Sequence, residues 1–402
     1  MNIIDSIKDK RKRHKERYSE LNYQYVFSDS IHLVNQEHWQ SVAQNHSIFM
    51  SLGYLQSIEQ CSPDNTSQRY AIAYQDGRPK VLVSVQIAEA TGDRLTQTEN
   101  SVKRKMADSI HERILVCGNL VSSGLHGVAY DTQMSMEEVW RVVAEILYKI
   151  RRKEKLGGDI NFAMIKDIKG SKLEASMVLE RYSYRKIQTD PDMVLSLDDK
   201  MQSFEDYLAS LNTKYRSRIR KVIKTLEQGG YCSERLIVDD NIDKQIHQLY
   251  LNVENQSDVR LATLPRGYFK ALYDNLGDDF VCLGLTKEDQ LHGFISILRD
   301  GQQCVAYYVG FDYEVNKTFP LYFRLLQLVI EQAIDWQLTS VSFGRTALEP
   351  KANLGALPVE TFVWARHRLS MVNFFIRKLF RNIPFEDAPE RNARKKVAPQ
   401  GE

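Results

Sequence analysis

Residues 279–310 read DFVCLGLTKEDQLHGFISILRDGQQCVAYYVG and contain three apolar runs separated by two polar turns. The turns lie at residues 287–289, KED, and at residues 300–301, DG, and such residues favour tight reversals of the chain. We therefore predict three strands, of which the first two form a hairpin. A long amphipathic helix over roughly residues 319–337 and a strand at TSVSFGRT (339–346) are predicted to follow.

Helical segments precede these strands. Residues 204–230 predict one helix or two, stopped by the Gly229-Gly230 pair, and residues 240–257 and 264–277 predict two more. The first of these segments carries a basic stretch made of Arg216, Arg218, Arg220, Lys221 and Lys224.

The first half of the chain repeats the same order of elements. A helix, a hairpin, a third strand, a long helix and a further strand occur twice, about 200 residues apart. This repeat is typical of a duplicated fold, and we expect an α/β protein with two similar domains. The first-half elements are predicted at 49–61, 69–90, 113–127, 136–155 and 158–168.

The boundary between the two halves is predicted near TDPDMVLSLDDK (189–200), as a crossover strand and linker. The predicted division is a basic N-terminal segment at 1–20, a first domain at 21–195, a second domain at 196–384 and a disordered tail at 385–402.

Three stretches carry a resemblance to a known family: YLASLNTKYRSRIRKVIK (207–224), AYYVGFDYEVNKTFPLYFRLLQLVIEQAI (306–334) and FGRTALEPKANLGALP (343–358). With the element order, they resemble the FemAB-like, tandem-GNAT acyltransferases, a group that includes BioF2-like acetyltransferase domains. The resemblance covers most of residues 30–370. It implies two tandem GNAT-like domains, each a mixed central sheet flanked by helices, with the donor site in the second domain and the first shaping the acceptor cleft.

The resemblance also implies a donor site. In GNAT folds the pyrophosphate of acyl-CoA lies at the N-terminus of the helix after the third strand, where unpaired amides favour phosphate. The usual glycine-rich loop is missing from FDYEVNKTFP (311–320), so the candidates for donor binding are Asn316, Lys317 and Thr318. The alternative is that Thr318 caps the helix and Lys317 is solvated.

The stretch VSFGRTALEPKANLGA (341–356) breaks from strand into loop at Gly344. Ligands of α/β sheets commonly lie beyond strand ends. We predict that Arg345 binds an acceptor carboxylate or phosphate, that Glu349 accepts the proton of the attacking amine, and that Lys351 stabilises the oxyanion, as the resemblance also implies for Lys351. The alternative is a solvated surface loop.

Two tyrosines, Tyr307 and Tyr308, follow each other on the third strand, where alternation predicts opposite faces. We predict that Tyr308 faces the cleft and protonates the departing thiolate. Arg216 and Arg220 are predicted to bind substrate, and the alternative partner of their basic stretch is an RNA donor.

Bulk composition excludes several classes of protein. The 402 residues carry a net charge of +2, so bulk attraction does not predict a DNA partner. Five scattered cysteines without a C-x-x-C pair indicate reduced thiols in a cytoplasm. The sequence has no run of about 18 apolar residues, so we predict no membrane-spanning helix. We find no metal-ligand spacing, Ser-His-Asp order or Walker loop, and expect no metal, hydrolase or NTPase site.

Both ends of the chain are basic. Residues 3–17 and ARHRLSMVNFFIRKLFRN (365–382) interleave apolar with basic residues and predict amphipathic helices suited to an anionic membrane surface. The alternative is that the apolar stripe packs on the fold. We expect a cytoplasmic protein that is peripheral at the inner membrane face.

The resemblance to the FemAB-like, tandem-GNAT group implies an N-acyltransferase. It would move an acyl group from acyl-CoA, or a similar thioester, to an amine on a small molecule or on a lipid-linked or cell-envelope precursor. One alternative is a FemX-type, aminoacyl-tRNA-dependent peptidyl ligase, although residues 204–257 are too short for the helical arm common in tRNA-using members. The other is a non-catalytic scaffold or binding protein with the GNAT fold.

Overall fold

The protein is described by a computed structural model over residues 21–91, 111–124, 127–256, 260–380, 389 and 391–395. The predicted basic helix within residues 1–20 lies outside the described residues. Contacts divide the chain into two compact units. Unit 1 comprises Met1–Leu52, Asn65–Thr189 and Thr361–Pro384, and unit 2 comprises Gly53–Asp64, Asp190–Glu360 and Phe385–Glu402.

Strands and helices alternate along both halves. The strands are β1 (Gln24–Ser28), β2 (Thr66–Gln75), β3 (Arg78–Thr91), β4 (His111–Cys117), β5 (Val128–Tyr130), β6 (Ile160–Lys169), β7 (Arg185–Ser196), β8 (Cys232–Arg235), β9 (Phe280–Lys287), β10 (Gln290–Asp300), β11 (Gln303–Phe311), β12 (Ser340–Ser342) and β13 (Leu357–His367). The helices are α1 (Gln36–Ala43), α2 (Leu52–Gln60), α3 (Met136–Lys153), α4 (Leu173–Ser176), α5 (Phe204–Ser210), α6 (Thr213–Gln228), α7 (Asp240–Glu254), α8 (Tyr268–Leu276), α9 (Tyr313–Thr318), α10 (Leu321–Asp335), α11 (Leu348–Ala352) and α12 (Ser370–Phe380).

Unit 1 is built on a mixed sheet with the strand order β1-β2-β3-β4-β6-β13, and β5 pairs with β3. β4 and β6 run parallel, from Arg113 opposite Ile160 to Cys117 opposite Ile165. Helix α3, which crosses between β5 and β6, buries its apolar stripe, including Trp140, against the sheet. The amphipathic helix and the hairpin predicted from the first half are therefore confirmed.

Unit 2 has the corresponding mixed sheet, with the strand order β7-β12-β11-β10-β9-β8. β9, β10 and β11 pair antiparallel, and their connections are the two predicted polar turns. β11 and β12 are parallel and are linked by α10, whose buried leucines pack in the unit 2 core. The α/β class and the GNAT-like sheets are confirmed, because each unit has one parallel pair within antiparallel neighbours.

The parallel pair of unit 2 is short. β12 pairs with β11 over three residues, from Gln303 opposite Ser340 to Val305 opposite Ser342, whereas β11 continues to Phe311. Helix α7 passes directly over the far end of β11, since a Cβ on Gly310 would lie 2.5 Å from the carbonyl carbon of Leu249. β11 therefore continues beyond the end of its parallel partner, at the level where the stretch after β12 begins. The prediction set the strand at 339–346 beside the parallel pair, but β12 is one of its two members.

The prediction for the C-terminal part of the sequence is partly wrong. The predicted helix over 365–382 begins only at Ser370, because residues up to His367 form β13 and pair with β6 from Thr361 to His367. The strand at 339–346 is consequently not the last strand. β7, predicted as a crossover strand near the linker, pairs with β12 in unit 2 from Val194 to Ser196.

The compact units differ from the predicted division of the chain, which stays a prediction about domains. Helix α2 comes from the first half but packs in unit 2, where Ser57 Oγ donates to Ala271 O at 3.0 Å. The tail is not wholly disordered as predicted. Within its described residues, Ala393 is buried, and its carbonyl accepts from Asn212 N at 2.9 Å.

Candidate active site

A buried polar cluster lies where β12 ends. The carboxylate of Asp192, on β7, accepts hydrogen bonds from Ser342 Oγ at 2.8 Å and from Gly344 N at 3.1 Å. Gly344 has φ of +75°, a conformation that favours glycine. Asp192 therefore fixes the direction in which the chain leaves the strand.

Lys351 completes this cluster. It lies on the one-turn helix α11 rather than in the predicted loop, its residue is only 3% exposed, and Nζ donates to Gly344 O at 3.2 Å. Burial lowers the pKa of Lys351 to about 8, and the negative charge of Asp192 opposes that shift. A lysine amine held inside the protein beside a strand end is a feature expected of a reacting site rather than of a solvated loop.

Arg345 and Glu349 occupy different environments in the same stretch. Arg345 is half-buried, and burial lowers the pKa of its guanidinium to about 10. Glu349 is exposed and forms an ion pair with Arg391 at 2.8 Å. The structure thus keeps Arg345 partly within the fold and turns the Glu349 carboxylate to the surface. The burial of Lys351 contradicts the solvated-loop alternative for that residue, and the role of Arg345 stays a prediction.

The two tyrosines of β11 do not lie on opposite faces. Their rings are 4.8 Å apart and perpendicular, which requires both side chains on one side of the sheet. The reason is a β-bulge, since Ser296 pairs with Tyr308 and the next residue, Ile297, pairs with Ala306. Alternation, from which opposite faces were predicted, fails at this bulge.

The phenol of Tyr307 forms hydrogen bonds with two other tyrosines of unit 2. Its oxygen lies 2.9 Å from that of Tyr54 and 2.5 Å from that of Tyr268. Tyr308 packs by its edge against Tyr250 and Phe269. Burial raises the pKa of Tyr307, Tyr308 and Tyr268 well above the ordinary value, so these phenols keep their protons.

The predicted donor residues lie on α9 and at its junction with α10. Asn316 Oδ1 accepts from Tyr322 N at 3.0 Å, so Asn316 caps α10, and the alternative in which Thr318 is the cap is wrong. Leu321 N donates to Phe319 O at 2.6 Å. Two amides at the start of α10 are thus already bonded. Thr318 is exposed at the end of α9, and Lys317 forms an exposed ion pair with Glu314 at 2.7 Å.

Two further cations lie near the start of α10 and were not among the predicted site residues. The guanidinium of Arg218 lies 5.0 Å from the ring centre of Phe323, and Lys287 Nζ lies 5.9 Å from that of Phe319. Arg218 appears in the basic stretch of the sequence, but only the packing of α6 on α10 singles it out. Of the predicted pair, Arg220 forms an exposed ion pair with Glu205 at 2.6 Å, and Arg216 lies 3.5 Å from Thr213 Oγ1.

The corresponding strand end of unit 1 is arranged differently. Lys166 Nζ donates to the carbonyl oxygens of Asn119 and Ser122, both at 2.7 Å. Asp167 is buried and accepts from Gly124 N at 2.8 Å. Lys166 therefore connects the segment after β4 to β6.

The described part of the chain holds no cluster of three or more His, Cys, Asp or Glu side chains that could bind a metal ion. In the same residues, no helix has both the length and the apolar character needed to cross a membrane.

Comparison with known families finds a match within unit 2. The family described as the acetyltransferase (GNAT) domain matches residues 213–352, which include the parallel pair, α10, Arg345 and Lys351. This segment is a GNAT domain. By its family description the matched segment is an acyltransferase domain, and it carries the buried lysine.

Solved structures resemble the chain at low sequence identity. The crystal structure of FemX is 13% identical, covers 84% of this chain and 96% of its own, and has a TM-score of 0.55. A tandem GNAT protein from the clavulanic acid biosynthesis pathway is 11% identical, covers 86% of this chain and 98% of its own, and has a TM-score of 0.47. L-PGS from Bacillus licheniformis is 9% identical, covers 81% and 94%, and has a TM-score of 0.46. No curated protein sequence matches the chain. The likeness to FemX shows a shared fold.

Proposed function

We propose that the GNAT domain of unit 2 transfers an acyl group from an acyl-CoA thioester to an amine acceptor. The observation that carries this proposal is the buried Lys351 amine at the end of β12, 3.2 Å from Gly344 O. Nucleophilic attack by an amine on the thioester carbon creates a tetrahedral oxyanion. The carbon–sulfur bond then breaks, and the thiolate takes up a proton.

Lys351 acts as the electrostatic partner of that oxyanion. Below pH 8 its amine is mainly an ammonium ion with three N–H donors, of which Gly344 O accepts one. An ammonium ion in a site of low polarity is already oriented before the charge develops, which is the arrangement that stabilises a transition state most strongly. Tyr308 keeps its proton and can donate a hydrogen bond, so we assign it to the departing sulfur.

The donor phosphates are assigned to the start of α10. Arg218, Lys287 and Lys317 supply positive charge there, and the helix dipole adds to it. Asn316 contributes by capping the helix, and Thr318 by its hydroxyl at the end of α9. Side-chain charge thereby replaces the glycine-rich loop that the sequence lacks.

The acceptor is assigned to the side of Arg345. A guanidinium that is partly removed from water binds a carboxylate or phosphate in two-point fashion, which favours an anionic amine such as a lipid-linked or cell-envelope precursor. Arg216 and Arg220, on α6, stay candidates for substrate binding, and Glu349 for the proton of the amine.

A second candidate is aminoacyl transfer from a tRNA, as in a FemX-type peptidyl ligase. The exposed basic side of α6 favours it, because Arg218, Arg220, Lys221 and Lys224 are all exposed. The likeness to FemX supports the shared fold only.

Thermal-shift measurements with acyl-CoAs, free CoA and bulk tRNA separate these candidates. We expect an acyl-CoA to raise Tm. The Arg218→Ala variant should need about tenfold more acyl-CoA for the same rise, because one charge-assisted contact is lost. Arg235 is exposed and pairs with Asp278, so the control variant Arg235→Ala should show the same rise in Tm as the wild type. Stabilisation by tRNA alone would favour the FemX-type reaction, and stabilisation by neither would favour a scaffold.

A further inference from the structure

Unit 1 exposes a row of large apolar side chains along α12 and the residue before it. Met371 is 78% exposed and Phe374 is 72% exposed, and Leu369 and Phe375 are exposed by about half. We call these four residues the α12 surface. Side chains exposed to this degree protrude from the protein and do not line a groove.

The helix is nevertheless firmly docked by its other side. Ile376 is completely buried, and Asn373 Nδ2 donates to Ser183 O at 3.0 Å. Asn373 Oδ1 also accepts from His367 N at 2.8 Å, which ties α12 to the end of β13. The α12 surface is therefore exposed by a helix held in a fixed orientation. Of the predicted apolar stripe, only part packs on the fold.

Basic side chains lie beside the start of this surface. Arg366 and Arg368, at the end of β13, lie close enough to Arg151 of α3 that their charges act with burial to lower the pKa of Arg151. One acidic neighbour is present, because Arg368 forms an ion pair with Asp159. The sequence of α12 continues with Arg377 and Lys378, whose side chains lie outside the described residues. Among the described side chains named here, three arginines face one carboxylate, so the charge is net positive.

Two other exposed apolar side chains of unit 1 also lie near arginines. Tyr148 is half exposed, with the Arg151 guanidinium 5.8 Å from its ring centre. Leu156 is fully exposed three residues before Asp159, the partner of Arg368. Aromatic and aliphatic side chains bordered by arginines have the composition of surfaces that bind at a membrane interface.

We infer that the α12 surface binds an anionic lipid bilayer, with Met371, Phe374 and their neighbours inserted among the lipids and the arginines on the headgroups. A bilayer accommodates protruding side chains without a complementary shape, and anionic headgroups match the surrounding charge. The inference is independent of the acyl donor and acceptor, because binding to vesicles can be measured without either.

The test is co-sedimentation of the full chain with vesicles of phosphatidylcholine alone or mixed with phosphatidylglycerol. We expect binding to the mixed vesicles only, weakened by salt because the headgroup contacts are screened. The Met371→Ser/Phe374→Ser double variant should bind at least about tenfold more weakly, since two inserted side chains are lost. Leu33→Ser, which changes an equally exposed residue of unit 1, should bind like the wild type.

Three outcomes would overturn the inference. They are failure of the wild type to bind the mixed vesicles, equal binding to phosphatidylcholine alone, and undiminished binding by the double variant. Sedimentation velocity of the same proteins tests the competing occupant. A change of mass in the double variant, without a change in vesicle binding, would make the α12 surface a protein interface. Circular dichroism melts should show that all variants fold, because the substituted side chains are exposed.

Discussion

At the residue scale, Lys351 has an environment that is unusual for its type. Lysine is almost never fully buried without compensation, yet its exposure here is 3%, with a carbonyl partner and the charge of Asp192 nearby. Such a cost is expected where the amine has a functional role, and the Lys351 amine lies at a strand end of the GNAT domain. The sequence predicted Lys351 from a motif, but not its burial.

Replacement of Lys351 by methionine should stabilise the protein at neutral pH. The folded pKa, about 8, lies below the unfolded value near 10.4, so the folded state disfavours the ammonium form. Below pH 8 the whole cost is present, and it disappears as pH rises from 8 to 10.4 because the unfolded state then binds more protons. Urea melts should show a gain of about 1–3 kcal/mol at pH 7 that shrinks towards pH 10. A gain that is constant with pH would contradict the buried charge.

Asp192→Asn should act through Lys351 and through the turn at Gly344. An amide oxygen still accepts from Ser342 and Gly344, so the loss of stability should stay at about 1–2 kcal/mol. Removal of the negative charge should lower the pKa of Lys351 further, since Asp192 is the group that raises it. If Lys351 works as an ammonium ion, the alkaline fall of kcat should move to lower pH. An unshifted fall in Asp192→Asn would exclude Asp192 as the positioning residue.

At the element scale, the hairpin, the long helices and the glycine stops were predictable because their signals are local. Turn residues at 287–289 and the apolar stripe of α10 need no knowledge of the rest of the chain. β13 was missed because its partner, β6, lies about 200 residues away. The bulge at Tyr307 and the pairing of Asp192 with Ser342, 150 residues apart, also depend on contacts that no short window of sequence contains.

Gly310→Ala should test the close passage of α7 over β11. The added Cβ would meet Leu249 carbonyl carbon at 2.5 Å and Phe294 Cε1 at 2.5 Å, and the backbone atom cannot move aside cheaply. We expect a loss of about 1–3 kcal/mol in the free energy of unfolding. Gly157→Ala is the matched control, because its Cβ would meet only the Arg113 side chain at 3.6 Å or more. Equal stability of the two variants would contradict the described packing.

At the scale of the whole molecule, the two units share one strand arrangement but not one strand-end chemistry. At the end of the parallel pair of unit 1, Lys166 donates to two backbone carbonyls, whereas unit 2 buries Lys351 beside Gly344. The asymmetry supports the proposal that the transfer chemistry lies in unit 2.

The pH dependence of acyl transfer tests the central claim most directly. The assay measures thiol release from an acyl-CoA with a panel of small and lipid-linked amines, for the wild type, Lys351→Ala and Lys351→Arg. We expect wild-type kcat to fall as pH rises through about 8, where Lys351 loses its proton. Lys351→Ala should lower kcat about 100-fold or more, and Lys351→Arg should lose the alkaline fall, because arginine stays charged. Full turnover by Lys351→Ala, or an alkaline fall that persists in Lys351→Arg, would contradict the role of Lys351.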